Sequence, residues 1–184
     1  MGKIEELTAA AQERWRLFPL RMGARIGTSA VRRSTQLACI RPDLQFVELR
    51  GHVITRIEKL AQGNCNAILV ATAGLRRLKL DLKAFHVLEL DPTRFIPAPG
   101  QGALAVQVRG DSPYFSTLNR ILNHEQTAKA VAWERGVLKV LGGGCGLPLG
   151  VYARHIDDRW ELFGFWGGDI HHPVWSKVRG PEET

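Results

Sequence analysis

Cysteine is scarce in this sequence, and the features of exported or membrane-spanning proteins are missing. The chain of 184 residues has three cysteines, Cys39, Cys65 and Cys145, an odd number without metal-like spacing. No apolar run reaches the length of a membrane span. The first residues carry acids where a signal peptide has an apolar core. We therefore expect a cytoplasmic protein in a reducing setting, without membrane contact.

The sequence also lacks common motifs for nucleotides and metals. No G-x-G-x-x-G follows a predicted strand, which argues against a dinucleotide site. His171 and His172 have no third ligand at regular spacing, so we expect a solvated loop and no metal there. The five tryptophans lie mostly away from the arginine clusters, whereas nucleic-acid surfaces interleave the two. We expect no nucleic-acid partner.

The chain carries an excess of positive charge. Lys and Arg number 25 against 18 Asp and Glu, which gives a net charge of +7. This balance suits an anionic partner, and nucleic acid, a membrane surface and a polycarboxylate ligand all meet that description. The positions of the arginines decide among these classes.

Strand-like and helix-like segments alternate through the first half of the chain. After a predicted helix over residues 3–18, strands are predicted at 24–27, 44–49, 66–71 and 86–90. Three helices are predicted between these strands: the first ends near Ile40, the second spans 53–61 and the third begins near Leu75. Thr28 or Ser29 is a suitable N-cap for the first of these helices. The alternation predicts an α/β domain, a parallel-type sheet with flanking helices.

The second half of the chain predicts a smaller α+β unit. A strand at 104–108 need not belong to the first sheet, and helices are predicted at 112–122 and 124–141. Residues 149–153 and 159–166 flank Ile156, Asp157 and Asp158, which predicts a β-hairpin.

Basic residues follow three of the predicted strands. Each pair lies near the carboxyl end of its strand: Arg32 and Arg33, Arg50 and Arg56, Arg76 and Arg77. Ligands bind at this edge of a parallel sheet, where helix N-termini favour negative charge. Any one pair is explained as well by solvated surface or by salt bridges. Three pairs at one edge favour a pocket for a multiply charged anion.

One cysteine lies in a glycine-rich loop. Gly144 and Gly146 flank Cys145, and Pro148 ends any preceding helix. A thiol on such a loop is reachable and, once deprotonated, is a nucleophile. The alternative is a small buried residue without reactivity.

Five stretches together resemble the porphobilinogen deaminase (hydroxymethylbilane synthase) family. They occur in family order, and the resemblance runs from about Gly23 to the C-terminus. The stretches are GTSAVRR (27–33), LRGHVITR (49–56), AGLRRL (73–78), PAPGQGAL (97–104) and GGCGLPLG (143–150).

The resemblance implies a domain organisation. Residues 23–98 correspond to the family's second domain, which is periplasmic-binding-protein-like. Residues 99–122 correspond to a returning strand and linker helix, and 123–184 to a small α+β C-terminal domain that stops short of the family's final helix. Residues 1–22 resemble at best the tail of a first domain, so the chain looks truncated.

The resemblance also implies a chemistry. Family members join four porphobilinogen units into the linear hydroxymethylbilane of porphyrin and heme biosynthesis, releasing ammonia each time. The product grows on a dipyrromethane cofactor, and Cys145 matches the cysteine that holds it through a thioether. The positions that match cofactor and substrate contacts are Thr28, Ser29, Arg32, Arg33, Arg50, Arg56 and Arg77, with Gly51, Gln101 and Gly144 in supporting loops.

The chain departs from the family pattern at three places. Ala30 replaces a usual serine and His52 a usual asparagine. No residue matches the family's catalytic aspartate, which belongs to the first domain, so no catalytic residue is assigned. The expectation is a monomeric transferase fragment that acts on porphobilinogen and is poorly active alone. The alternative is a non-catalytic polycarboxylate-binding module derived from the family.

Overall fold

The computed structural model describes residues 18–144, 146–169 and 171–182. The helix predicted over residues 3–18 lies outside this part of the chain apart from Phe18, and Cys145 also lies outside it. Within these ranges, no helix combines the length and the apolar character needed to cross a membrane.

Three short parallel strands form the sheet of the first unit, in the order β2-β1-β3. Their bounds are Arg25–Gly27 for β1, Gln45–Val47 for β2 and Ala67–Ile68 for β3. The register places Ile26 opposite both Phe46 and Ala67. The predicted parallel sheet is confirmed, although its strands are shorter than the apolar runs of the sequence.

Three helices connect and flank these strands. Their bounds are Val31–Ile40 for α1, Val53–Ala61 for α2 and Thr72–Leu78 for α3. α2 has the predicted bounds, because its apolar residues recur at helical spacing. α1 buries Leu37 in the same core as Ile26 of β1.

The predicted N-cap of α1 is wrong. The N-cap position is Ala30, which makes no side-chain cap hydrogen bond. The Thr28 hydroxyl accepts from the Ala30 amide at 3.2 Å, and the Ser29 hydroxyl donates to the Leu49 carbonyl at 2.8 Å. The two hydroxyls therefore hold the turn between β1 and α1 instead of capping the helix.

Two predicted strands are also wrong. Residues 86–90 and 104–108 have no regular secondary structure, and no described strand pairs with either segment. Val87 and Val106 are exposed in them. An alternating apolar pattern indicates that one face prefers to be buried. A strand also needs a neighbouring strand for its backbone hydrogen bonds, and the pattern does not show whether one is present.

The second unit contains two helices and an antiparallel sheet in the order β4-β5-β6. The bounds are Phe115–Leu122 for α4, Glu125–Val140 for α5, Leu149–Ile156 for β4, Arg159–Trp166 for β5 and Val174–Glu182 for β6. The predicted hairpin is confirmed. Asp157 and Asp158 have φ angles of 48° and 55°, as a two-residue type I′ turn requires.

Strand β6 was not predicted. It follows His171 and His172, which lie in an exposed bend. His172 Nδ1 lies 2.7 Å from Asp169 Oδ2. Among the residues that the structure describes, no group of three or more His, Cys, Asp or Glu side chains could hold a metal.

A buried glutamine joins the cores of the two units. Gln36 of α1 is fully buried, and its side chain donates to the Ile96 carbonyl and accepts from the Ile96 amide, both at 2.8 Å. Phe95 belongs to the core of the first sheet, whereas Ile96 packs against Phe163 and Phe165 of β5. The turn of the chain at Phe95 and Ile96 therefore connects both cores, with Gln36 as its clamp.

An ion cluster crosses the C-terminal sheet. Glu161 of β5 is almost fully buried and pairs with Lys177, with Arg154 at 2.7 Å and with Arg179 at 3.3 Å. Hydrogen bonds from Lys177 and then Arg154 lower the pKa of Glu161 to about 2. The ionised carboxylate is therefore favoured in the folded chain.

This ion cluster predicts an acid-dependent loss of stability. Because the folded pKa is depressed, the stabilisation is complete above the unfolded pKa, about 4.3, and is lost as pH falls through about 2. In urea unfolding, Glu161→Gln should be less stable than the wild type at pH 7, and this difference should vanish toward pH 2. Glu58→Gln, an exposed control, should show little difference at either pH. A Glu161→Gln difference that is independent of pH would contradict the assignment.

Candidate functional site

The carboxyl ends of the three parallel strands meet at one edge of the sheet. The Thr28 amide donates to the Val47 carbonyl at 3.0 Å, and Ser29 reaches the Leu49 carbonyl. These bonds tie the end of β1 to the end of β2. Side chains from the following turns therefore converge at this edge.

Three arginines form a coupled cluster at this edge. Arg33 donates to the Leu69 carbonyl, just beyond β3, at 2.9 Å. Burial, and then the charge of Arg56, lowers the pKa of Arg33. Burial, and then the charge of Arg33, lowers the pKa of Arg32 to about 10. The structure thus brings Arg32, Arg33 and Arg56 close enough for their charges to interact, and we call them the arginine cluster.

Gly51 helps to orient one member of the cluster. Its φ angle is +119°, in a region that side chains disfavour. In this conformation the Gly51 carbonyl accepts from Arg56 Nε at 2.8 Å. The supporting position that the sequence analysis assigned to Gly51 therefore contacts a cluster residue directly.

The loop after Pro99 lies against two arginines. Arg32 Nη2 lies 3.4 Å from Gln101 Oε1, and Arg77 Nη2 donates to the Gly102 carbonyl at 3.2 Å. Residues 99–102, which we call the glycine loop, thus lie beside the arginine cluster. Gln101 and Gly102 of this loop contact Arg32 and Arg77.

Arg50 lies at the rim of the site. Its guanidinium pairs with Glu48 at 2.6 Å, and both side chains are exposed. Arg76, the neighbour of Arg77, pairs in the same way with Glu89 at 3.1 Å. Exposed pairs of this kind contribute about 0–1 kcal/mol. Arg50 and Arg76 are therefore both exposed guanidinium groups with a weakly held carboxylate partner.

The loop that bears residue 145 begins directly after α5. A Cβ added to Gly143 would lie 1.8 Å from Leu147 Cδ1, so a larger residue there would require the Leu147 side chain to move. The Gly144 carbonyl accepts from the Leu147 amide at 3.2 Å. Cys145 itself lies outside the described residues.

The other two cysteines are poor nucleophiles. Cys65 is buried and Cys39 is half-buried. Burial raises the pKa of both thiols. Because the thiolate is the reactive form, neither side chain competes well for an electrophile.

Two family models match most of the chain. The model described as "Porphobilinogen deaminase, dipyromethane cofactor binding domain" matches residues 5–117. The one described as "Porphobilinogen deaminase, C-terminal domain" matches residues 128–167. The chain belongs to the porphobilinogen deaminase family.

Curated relatives of the same name come from several bacteria. Porphobilinogen deaminase of Nitratidesulfovibrio vulgaris (strain Hildenborough) is 47% identical over 143 residues, which is 77% of this chain and 45% of that protein. Porphobilinogen deaminase of Roseiflexus sp. (strain RS-1) is 42% identical over 170 residues, 92% of this chain and 55% of that protein. The chain spans about half the length of the curated relatives it matches.

The arginine cluster fits the group named by the matching porphobilinogen deaminase model. The Nε of Arg32 is buried and has no hydrogen-bond partner in the part of the chain that the structure describes. A buried donor without an acceptor costs about 1–3 kcal/mol. Carboxylates supply oxygens whose spacing suits a guanidinium fork. The residues present therefore suit a ligand with several carboxylates, such as a dipyrromethane.

A buried carboxylate that the sequence pattern did not indicate lies beside this site. Glu134 of α5 is buried, and it accepts from the Gly100 amide at 2.5 Å and from the Ala153 amide at 2.8 Å. Burial raises the pKa of Glu134. A glutamate within a helix ordinarily indicates a solvated face, so no local signal distinguished this one. Gln36 was missed for the same reason.

Proposed function

We propose that this chain is the arginine-bearing and cofactor-bearing part of a hydroxymethylbilane synthase, a transferase of tetrapyrrole biosynthesis. The reaction joins four porphobilinogen molecules head to tail and releases ammonia at each step. One observation carries the proposal: a coupled arginine cluster lies at the carboxyl edge of the sheet, in a chain that matches the cofactor-binding family model over residues 5–117.

The proposed role of the arginines is to bind carboxylates. Each pyrrole of the substrate carries an acetate and a propionate, so the growing chain gains two negative charges per ring. Arg32, Arg33 and Arg56 supply charge in a partly buried setting, where it acts more strongly than in water. Arg50 and Arg77 extend the same surface at its rim and at the glycine loop. Thr28 and Ser29 hold the turn that presents Arg32 and Arg33.

The proposed role of Cys145 is to tether the cofactor. Dipyrromethane, when bound, supplies the terminal pyrrole to which substrate units are added. Thioether formation replaces the S–H bond by an S–C bond, and porphobilinogen loses ammonia, which carries away the thiol proton. The glycine-rich backbone around the thiol allows this approach. The chain's own residues thus anchor and clamp the growing product.

We further propose the domain boundaries implied by the family resemblance, with the α/β unit at 23–98, the linker at 99–122 and the C-terminal unit at 123–184. We assign no catalytic residue, because no residue of this sequence matches the family's catalytic aspartate. We propose that the chain loads the cofactor. A cytoplasmic monomer is proposed.

A non-catalytic polycarboxylate-binding module is the second candidate. The observation that favours it is that Arg32, Arg33 and Arg56, the three members of the arginine cluster, all lie in the α/β unit. Such a module would bind the same anions and form no covalent bond.

The intact mass of the chain separates the two candidates. Expressed with porphobilinogen, the wild type should carry a stable adduct of two pyrrole rings. Cys145→Ser should lose the adduct completely, because no thiol remains at the loop. Cys39→Ser and Cys65→Ser should keep it, since burial raises the pKa of both thiols. An unmodified wild-type chain that still binds porphobilinogen would favour the binding module.

A further inference from the structure

The Glu134 carboxylate lies between two segments that are distant in sequence. One oxygen accepts from the Gly100 amide at 2.5 Å and the other from the Ala153 amide at 2.8 Å. Gly100 belongs to the glycine loop, whereas Ala153 lies in the middle of β4. The side chain is buried, so water does not replace these bonds easily. Glu134 therefore fastens the glycine loop to the C-terminal sheet.

The glycine loop also touches the anion site. Gln101 and Gly102 follow Gly100 directly and contact Arg32 at 3.4 Å and Arg77 at 3.2 Å. Arg32 is the cluster member whose buried Nε has no partner among residues 18–144, 146–169 and 171–182. A continuous set of contacts thus runs from α5 through Glu134 and the loop to two guanidinium groups.

We propose that Glu134 is a positioning residue for the carboxylate site, holding the glycine loop so that Gln101 and Gly102 orient Arg32 and Arg77. The proposal rests on the proposed function for the identity of the bound anion, but not for the contacts themselves. α5 ends at Val140, and the loop of residue 145 follows directly. The same helix thus connects the arginine cluster to the loop proposed to carry the cofactor.

The chemistry of this link requires a carboxylate. Each of its oxygens accepts one amide hydrogen, and a charged acceptor makes the stronger bond. A glutamine of equal size has only one acceptor oxygen and turns an NH₂ group toward the other amide. Glu134→Gln therefore releases one of the two segments while the helix propensity and side-chain volume stay nearly the same.

Arginine side-chain NMR signals test the link without any ligand. In Glu134→Gln, the amide signals of Gly100 and Ala153 should shift, and so should the Nε–H signals of Arg32 and Arg77. Glu125→Gln, on the first turn of the same helix and exposed, should leave all four unchanged. Shifts confined to Gly100 and Ala153 would show a purely structural bond and overturn the proposal.

A second measurement uses only the wild-type chain and therefore tests the proposal even if Glu134→Gln does not fold. In the wild-type chain, the Gly100 amide should exchange its hydrogen as slowly as the Ala153 amide, because both donate to the buried carboxylate. Exchange of Gly100 at the rate of an unprotected surface loop would overturn the proposal.

A double-mutant cycle extends the test to binding. By calorimetry, Glu134→Gln should weaken porphobilinogen binding about ten-fold, within the range of couplings between contacting residues. Gln101→Ala should weaken it less, and adding Gln101→Ala to Glu134→Gln should cause no further loss. Additive losses, or full binding by Glu134→Gln, would overturn the proposal. If the wild type does not bind porphobilinogen while the arginine signals still respond to Glu134→Gln, the proposed function fails and the positioning role stands.

Discussion

Replacing Arg33 with methionine should weaken binding of porphobilinogen about 100-fold. Arg33 lies at the centre of the arginine cluster, where it reaches the Leu69 carbonyl at 2.9 Å and interacts with the charges of Arg32 and Arg56. A guanidinium fork makes two charge-assisted bonds to a carboxylate. At about 1.5 kcal/mol for each bond, the loss of both corresponds to a decrease in affinity of about 100-fold. Methionine keeps much of the aliphatic volume, so the change removes mainly charge and donors.

Arg76→Met provides the matched control for Arg33→Met. Arg76 is an exposed arginine paired with Glu89 at 3.1 Å, and its loss should change affinity less than about two-fold, as expected of a surface pair. Isothermal calorimetry at one fixed salt concentration compares the two variants, since screening weakens exposed charges most. Equal losses for both variants would indicate a general effect of net charge and contradict a specific site at the sheet edge.

Replacing Gln36 with leucine should lower the free energy of unfolding by about 2–6 kcal/mol. Gln36 is fully buried and satisfies both the amide and the carbonyl of Ile96, at 2.8 Å each. Leucine fills a similar space but leaves two buried backbone groups unpaired, at a cost of about 1–3 kcal/mol each. Because Phe95 and Ile96 belong to different cores, the loss acts at the connection between the two units.

Urea unfolding followed by tryptophan fluorescence measures this loss. Gln126→Leu, at an exposed position of α5, is the matched control and should change stability by less than about 0.5 kcal/mol. If Gln36→Leu also changed the free energy of unfolding by less than about 0.5 kcal/mol, water or a shifted backbone would satisfy Ile96. That result would contradict the role of Gln36 in connecting the two cores.

Local patterns predicted much of the first unit. The bounds of α2, Val53–Ala61, follow from apolar residues at helical spacing. The positions of Arg32, Arg33 and Arg56 follow from the alternation of strands and helices, because parallel strands end at a common edge. In the second unit, the hairpin turn likewise follows from Asp157 and Asp158 between two alternating runs.

The same patterns failed where a partner segment decides the structure. Residues 104–108 have the composition of a strand, yet no described strand pairs with them. β6 has weak alternation and exists because β5 provides a neighbour along residues 159–166. Ser29 is a good capping residue by type, but the Leu49 carbonyl lies within reach of its hydroxyl and α1 begins later.

Residue types and their spacing along the chain suffice to indicate the family, the parallel α/β unit, the excess of positive charge and the placement of arginines after strands. Which charged side chains act together depends on the tertiary structure. Arg33 and Arg56 interact, whereas Arg76 pairs with Glu89. Glu134 is buried between Gly100 and Ala153. Such pairings depend on distances between residues far apart in sequence, and only packing of the two units sets those distances.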